Sequence, residues 1–321
     1  MVEWKFDYSD LDKITENKPE TGPGVSEKGE LCGIMYDDEY KEIMRVFRGV
    51  LSLKEKSERA LYATEVAILA VPAFYTAWNY RFDIVKALYG DSGDQLDREL
   101  DWLDEFTLAN PKNYQIWSYR QAVLKVHPKP IFRRELPILA AMLDEDSKNY
   151  HVWSYRRWCV QFFGVLDEEL TFADALIVRD VFNNSAWCHR MFVMKELEVD
   201  LAQRAASAEI EYAKAKILIA PQNISPWNYL RGIYNGILGS QFDAEIVTFA
   251  LAFAGDVFDA HGDASPTANA QSSFALEFLA AIYSQNEETA PKAIAAYNAL
   301  SSKYDPIRKS LWDHKIARLR T

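Results

Sequence analysis

Asn113-Tyr114-Gln115-Ile116-Trp117-Ser118-Tyr119-Arg120 returns as Asn149-Tyr150-His151-Val152-Trp153-Ser154-Tyr155-Arg156, and these two stretches decide the fold. The pattern continues in Asn183-Asn184-Ser185-Ala186-Trp187-Cys188-His189-Arg190 and in Asn223-Ile224-Ser225-Pro226-Trp227-Asn228-Tyr229-Leu230. An earlier copy, Phe74-Tyr75-Thr76-Ala77-Trp78-Asn79-Tyr80-Arg81, has Phe in place of the leading Asn. From Trp78 onward the tryptophans are 39, 36, 34 and 40 residues apart, the length of two helices and their turns. A worn copy around Trp312 lies 85 residues beyond Trp227, which leaves room for a degenerate unit between Ser272 and Tyr283. Six of the nine tryptophans are therefore repeat markers.

The residues between the motifs carry the helical period. Leu96, Leu100 and Leu103, then Leu136, Leu139 and Leu143, then Ile210, Ala213 and Ile217 place apolar groups on one face at three- and four-residue steps. These segments are the first helices of the hairpins. Each motif opens the second helix, because an Asn side chain at the N-cap accepts from the free N–H groups of the first turn. Pro111 and Pro221, two residues ahead of Asn113 and Asn223, end the helix before. Trp then falls near the second turn with Arg three residues on, so Trp117, Arg120 and Leu124, or Trp187, Met191 and Met194, form an inward stripe. The plainest role for Trp is a wedge between stacked hairpins, and for Arg81, Arg120, Arg156 and Arg190 a carboxylate on a neighbouring helix. The tetratricopeptide pattern is excluded, since no Leu-Gly follows the Trp.

Composition agrees with an all-α chain. Among 321 residues there are only 13 Gly and 12 Pro, against 43 aromatic rings and 49% hydrophobic residues, which excludes disordered and turn-rich all-β classes. A net charge of −11 argues against nucleic acid or anionic lipid as a broad partner, so an anionic ligand needs a local cationic exception. The longest uncharged run, 66–80, has 15 residues and a proline, short of the ~20 that span a bilayer. The first residues show no secretory pattern, and Cys32, Cys159 and Cys188 are isolated thiols, so a cytoplasmic setting is expected. Residues 1–33, with Thr21-Gly22-Pro23-Gly24, read as a flexible arm, and 34–321 as one helical-repeat domain of about six or seven hairpins. Ala254 to Gln271, rich in small residues with Gly255, Gly262 and Pro266, reads as an inserted surface loop.

Most catalytic constellations are missing: no Gly-rich phosphate loop, no Gly-x-Ser-x-Gly, no His-Glu-x-x-His, and five histidines at no metal-ligand spacing. No metal site is expected in this chain. In a stack of hairpins, however, the second helices run the same way, and their N-termini align positive dipole ends along one edge. Two entrances carry a cation just before the cap, Lys112 and Lys148, flanked by Tyr114, Tyr150 and His151. That edge suits a phosphate or diphosphate; solvated loop lysines are the bland alternative.

The tandem Asn-x-x-x-Trp-x-x-Arg units, above all Pro111-Lys112-Asn113-Tyr114-Gln115-Ile116-Trp117 and Lys148-Asn149-Tyr150-His151-Val152-Trp153, resemble the repeats of protein prenyltransferase α subunits. The likeness is narrower to the α subunit shared by protein farnesyltransferase and geranylgeranyltransferase type I. It extends to Tyr36-Asp37-Asp38-Glu39-Tyr40, Ser57-Glu58-Arg59-Ala60 and Ile307-Arg308-Lys309 and covers about residues 34–316. The type II α subunit is similar but longer. The resemblance implies an all-α superhelical crescent of tandem hairpins around a β subunit. That β subunit holds Zn²⁺, and Mg²⁺ accompanies the diphosphate in the farnesyl enzyme. The implied reaction transfers farnesyl or geranylgeranyl from its diphosphate to the Cys of a C-terminal Cys-aliphatic-aliphatic-X sequence, with this chain inactive alone. Residue by residue, it implies that Lys112 meets the diphosphate with Tyr150 as a hydrogen-bond donor, and that Tyr114 and His151 stand beside the same pocket. Gln115 would bind the peptide carboxylate, and Tyr75 would line the product exit, although Phe74 departs from the family's Asn there. The reading from another class is a non-catalytic helical adaptor that holds a partner protein on its concave face.

Overall fold

The computed structural model describes residues 2–12, 35–258 and 269–320. Among them the secondary structure is helical throughout, with no strand. The helices are α1 (Asp38–Leu53), α2 (Glu58–Ala70), α3 (Tyr75–Tyr89), α4 (Gly93–Ala109), α5 (Tyr114–Val126), α6 (Phe132–Glu145), α7 (Tyr150–Phe163) and α8 (Glu169–Arg179). They continue with α9 (Asn184–Glu196), α10 (Val199–Ile219), α11 (Ile224–Gly236), α12 (Ala244–Leu251), α13 (Ser273–Tyr283), α14 (Ala290–Ala299) and α15 (Lys309–Leu319). The chain divides into two compact units, Met1–Cys159 and Val160–Thr321, where composition suggested an arm and one domain.

In the first unit, the repeat signature works as two stitches between successive hairpins. Asn113 caps α5 by accepting from the Gln115 N–H at 2.9 Å, and its own amide donates back to the Pro72 carbonyl at 2.6 Å. The same carbonyl accepts the Trp78 indole N–H at 2.9 Å. Asn149 repeats the device, accepting from the His151 N–H and donating to the Pro111 carbonyl at 3.2 Å. One residue thus closes a helix end and ties it to the turn before. Here the Trp117 indole N–H is buried without a partner, the one departure among these indoles within the unit.

The second stitch is electrostatic. Arg81 grips Glu99 of α4 at 2.6 and 2.8 Å, and Tyr119 of α5 donates to the same carboxylate at 2.6 Å. One hairpin on, Arg120 and Tyr155 meet on Glu135 at 2.5 and 2.6 Å, with Asp104 as a further partner of Arg120. Burial by itself would lower the Arg120 pKa, but the charge and hydrogen bond of Glu135, with Tyr155 and Asp104, together outweigh it and the net shift is upward. Burial pushes the Tyr155 hydroxyl well above its usual value, so it stays a donor. Buried charges of this kind persist only when paired and hydrogen-bonded.

In the second unit, the Val181 carbonyl accepts both the Trp187 indole and the Asn223 amide, at 2.9 and 2.7 Å. The degenerate unit keeps the device with a hydroxyl in place of the amide. Ser272 caps α13 by accepting from Ala275 and donates to the Pro221 carbonyl, which also takes the Trp227 indole. Arg190 and Tyr229 share Glu209 at 2.6 and 2.5 Å, while His189 takes the tyrosine's place on Glu169 at 2.6 Å. Trp187, Trp227 and Trp312 are almost fully buried, as wedges should be.

Two expectations change. Of the supposed flexible arm, residues 2–12 are packed: Tyr8 and Leu11 are buried, and Trp4 and Phe6 meet Tyr8 and Tyr62 edge-on. Arg59 holds Asp10 through two 2.8 Å bonds, reaches the Asp7 carbonyl at 3.0 Å, and accepts the Tyr8 hydroxyl on its own carbonyl. Arg59 and the Trp4, Phe6 and Tyr8 rings together hold this segment; residues 13–33 of the arm lie outside the described residues. Arg59→Ala is therefore expected to remove hydrogen-exchange protection at Leu11, whose N–H bonds to the Tyr8 carbonyl, and to open 2–12 to proteolysis. Unaltered protection would show that the aromatic contacts suffice. The expected surface loop over 254–271 is tied down at its base, with Ala254 and Val257 buried and the Gln271 and Ser272 N–H groups both on the Phe253 carbonyl, while Gly255, Asp256, Asn269 and Gln271 are exposed. Gly255, at φ +62, lets the Asn269 carbonyl approach so closely that a Cβ would sit 2.4 Å from it. Residues 259–268 of that stretch lie outside the described residues.

Candidate functional site

The six residues singled out from the sequence all lie at the entrances of α3, α5 and α7, within the first unit. Tyr75, Tyr114 and Tyr150 are each the first residue of their helix. All three rings are exposed, at 65, 59 and 76%. A large ring at N1 points away from the hairpin core, and the side-chain caps Asn113 and Asn149 set the helix start beside Tyr114 and Tyr150. α3 has no such cap, since Phe74 offers no acceptor, yet Tyr75 still occupies the equivalent place.

The neighbouring groups are drawn together across the second and third hairpins. The His151 ring stacks against Tyr114 at 6.5 Å between centroids and meets Tyr150 edge-on at 5.7 Å. Lys112, its side chain 71% exposed, reaches from the turn before α5 to Asp146 in the turn before α7, at 2.5 Å. That bond, with help from the Lys148 backbone N–H, holds the Asp146 carboxyl below its usual pKa. The pair is thus intact at neutral pH, and its contribution is lost only as pH falls through the depressed Asp146 value. Gln115 differs from the rest: it is buried, and its side-chain amide donates to the Ala73 carbonyl at 2.8 Å. That bond fixes the amide between the first two entrances and leaves one N–H for a further acceptor. The loop that leads into Tyr75 is tied to the α5 entrance by the Gln115 and Asn113 amides, which donate to the Ala73 and Pro72 carbonyls.

Chemically this is an open edge with an exposed ammonium, phenol donors, one amide and two helix N-termini, an arrangement suited to oxyanions. Exposed large apolar residues recur at the same turns: Leu69 and Leu108 in the first unit, and Val178, Phe182, Ile219 and Ile224 in the second. Among the described residues no three His, Cys, Asp or Glu side chains lie together as a metal site. No described helix is long and apolar enough to cross a membrane.

The repeats match a family model, the protein prenyltransferase alpha subunit repeat, over residues 57–88, 96–126, 132–163, 166–197 and 206–237. The protein farnesyltransferase/geranylgeranyltransferase type-1 subunit alpha of Candida albicans is 40% identical, with 99% of each chain covered. The chain belongs to the protein prenyltransferase α-subunit family. The type-1 subunit alpha of Schizosaccharomyces pombe is 39% identical over 72% of this chain and 76% of its own. The geranylgeranyl transferase type-2 subunit alpha of Rattus norvegicus is 30% identical and matches over only 34% of its length, so the type-1 α subunits are the better fit end to end. Among solved structures, Candida albicans protein geranylgeranyltransferase-I complexed with GGPP contains a chain that superposes with a TM-score of 0.81 at 39% identity, covering 99% of this chain. The all-α hairpin fold of this α-subunit family is the one described above.

Sequence reasoning missed three participants. The buried acceptors of the second stitch, Glu99, Glu135, Glu169 and Glu209, each stand 18 residues ahead of Trp117, Trp153, Trp187 and Trp227, a constant spacing that was available to find them. The second use of each Asn, toward the preceding turn, has no signature apart from its recurrence. Asp146 lies seven residues before Trp153, as Asp180 does before Trp187, but nothing in the sequence pairs it with Lys112.

Proposed function

We propose that this chain is the α subunit of a cytoplasmic heterodimeric farnesyltransferase/geranylgeranyltransferase type I. It supports transfer of an isoprenoid from its diphosphate to the Cys of C-terminal Cys-aliphatic-aliphatic-X sequences. The carrying observation is the end-to-end likeness to type-1 α subunits together with a cation, phenols and an amide at successive helix entrances. An adaptor without chemistry has no use for that edge. In the reaction the thiolate sulfur bonds to the first isoprenoid carbon as its C–O bond breaks, and diphosphate leaves with the electron pair. Negative charge grows on the leaving group, and the Lys112 ammonium, with a Tyr150 O–H, stabilises it where water is scarce. Tyr114 and His151 wall the diphosphate end, Gln115 turns its remaining N–H to the peptide carboxylate, and Tyr75 borders the path of the product. Zn²⁺ in the β subunit supplies an activated thiolate and Mg²⁺ neutralises diphosphate in the farnesyl enzyme; no ligand for either is assigned to this chain.

The reading is tested by co-expressing the chain with a prenyltransferase β subunit and assaying transfer to a Cys-aliphatic-aliphatic-X peptide. Turnover by the pair and none by the chain alone is expected. A stable complex that never turns over would remove the reading, and a chain that stays a soluble monomer beside the β subunit would favour the adaptor.

A further inference from the structure

We infer that Asp146 is a positioning residue for Lys112, holding the ammonium across the gap between the second and third hairpins until an anionic leaving group takes it over. The inference rests on the role proposed for Lys112 and adds the group that governs it.

The two oxygens of Asp146 do different work. Oδ1 accepts the Lys148 backbone N–H at 3.1 Å, while the Asp146 carbonyl accepts from Asn149 at 3.0 Å, so the carboxylate belongs to the turn that feeds the Asn149 cap. Oδ2 is directed to Lys112 Nζ at 2.5 Å. The carboxylate is fixed and half-sheltered, 39% exposed against 71% for the lysine, so the carboxylate sets where the ammonium rests. A lysine side chain has four rotatable bonds and no preferred direction of its own; an anchored acceptor supplies one. The lysine's own turn supplies no carboxylate, because the residue matching Asp146 there is Asn110, whose amide donates to the Phe106 carbonyl. The anchor therefore comes from the hairpin whose second helix opens with Tyr150 and His151. The pair joins the turns that open α5 and α7, the helices whose Tyr114 and His151 rings stack, and these are the entrances at which the proposed function puts the diphosphate. Exposed ion pairs are weak, and a multiply charged diphosphate displaces a single carboxylate readily.

Asp146→Asn keeps an oxygen for the Lys148 N–H and removes the charge, so the turn survives. In the heterodimer this variant is expected to lower the single-turnover rate about three- to fivefold, with isoprenoid diphosphate binding unchanged or tighter. Asp146→Glu should recover part of the rate. In a Lys112→Ala background the Asp146→Asn change should have no further effect. Equal losses from Asp146→Asn with and without Lys112 would overturn the positioning role, as would an unchanged rate in the single variant. If Lys112→Ala itself leaves the rate unaltered, the proposed function of the lysine fails first, and the two failures are told apart.

Discussion

Glu135→Ala is expected to destabilise the protein by about 3–5 kcal/mol, because it leaves a cation stranded in the core. Glu135 is fully buried and accepts from Arg120 at 2.5 Å and Tyr155 at 2.6 Å. Without it, Arg120, whose side chain has no solvent exposure, keeps only Asp104 at the margin, and the Tyr155 hydroxyl loses its acceptor. Each orphaned polar group adds its own desolvation cost. Urea unfolding of the full chain, followed by far-ultraviolet circular dichroism, measures the loss. A cost below about 1 kcal/mol would mean that packing of the tryptophan wedges, and not the ionic stitch, joins these hairpins. The double change Arg120→Met with Glu135→Leu gives a second check. Removing both charges together should recover most of the stability, since apolar replacements of a buried pair are commonly neutral or stabilising.

Why the arginine half of this stitch is legible and the glutamate half is not follows from the apolar pattern. The stripes read as Leu136, Leu139, Leu143 and Ile210, Ala213, Ile217 put Leu136 and Ile210 on the buried face. In the structure both are half-buried, and Glu135 and Glu209, one residue earlier, are the buried ones. A charged residue inside an apolar stripe lowers the periodic signal where the packing is tightest, so hydropathy hides it; only the constant distance to Trp reveals it. The Asn caps were legible because local chemistry dictates them, whereas their bonds to the previous turn depend on stacking. Residues 2–12 misled for the opposite reason: Trp4, Phe6 and Tyr8 lack helical period, and their anchor, Arg59, lies far along the chain. At the candidate site, residue types at the helix entrances could be read from spacing, and the roles came with the resemblance. The Lys112–Asp146 bond spans 34 residues and needed coordinates.

The second large effect concerns Lys112. Its alanine variant keeps the Asn113 cap and the turn before α5, so folding and assembly should be untouched, while on the proposed function the leaving diphosphate loses a positive partner as its charge develops. Removal of one positioned donor to a developing oxyanion commonly slows chemistry about 10²- to 10³-fold. The loss should fall on the rate of the bound complex and spare peptide affinity, because the interaction strengthens only as the C–O bond breaks. Gln115→Ala should divide the other way, weakening the peptide and sparing the step. The most direct measurement is single-turnover prenyl transfer by the purified heterodimer, comparing Lys112→Ala with the unaltered chain at saturating peptide. A fall of about 10²-fold or more with peptide affinity intact is the predicted result. An unchanged rate in an assembled, active heterodimer would contradict it and leave this edge of the α subunit with a structural role only.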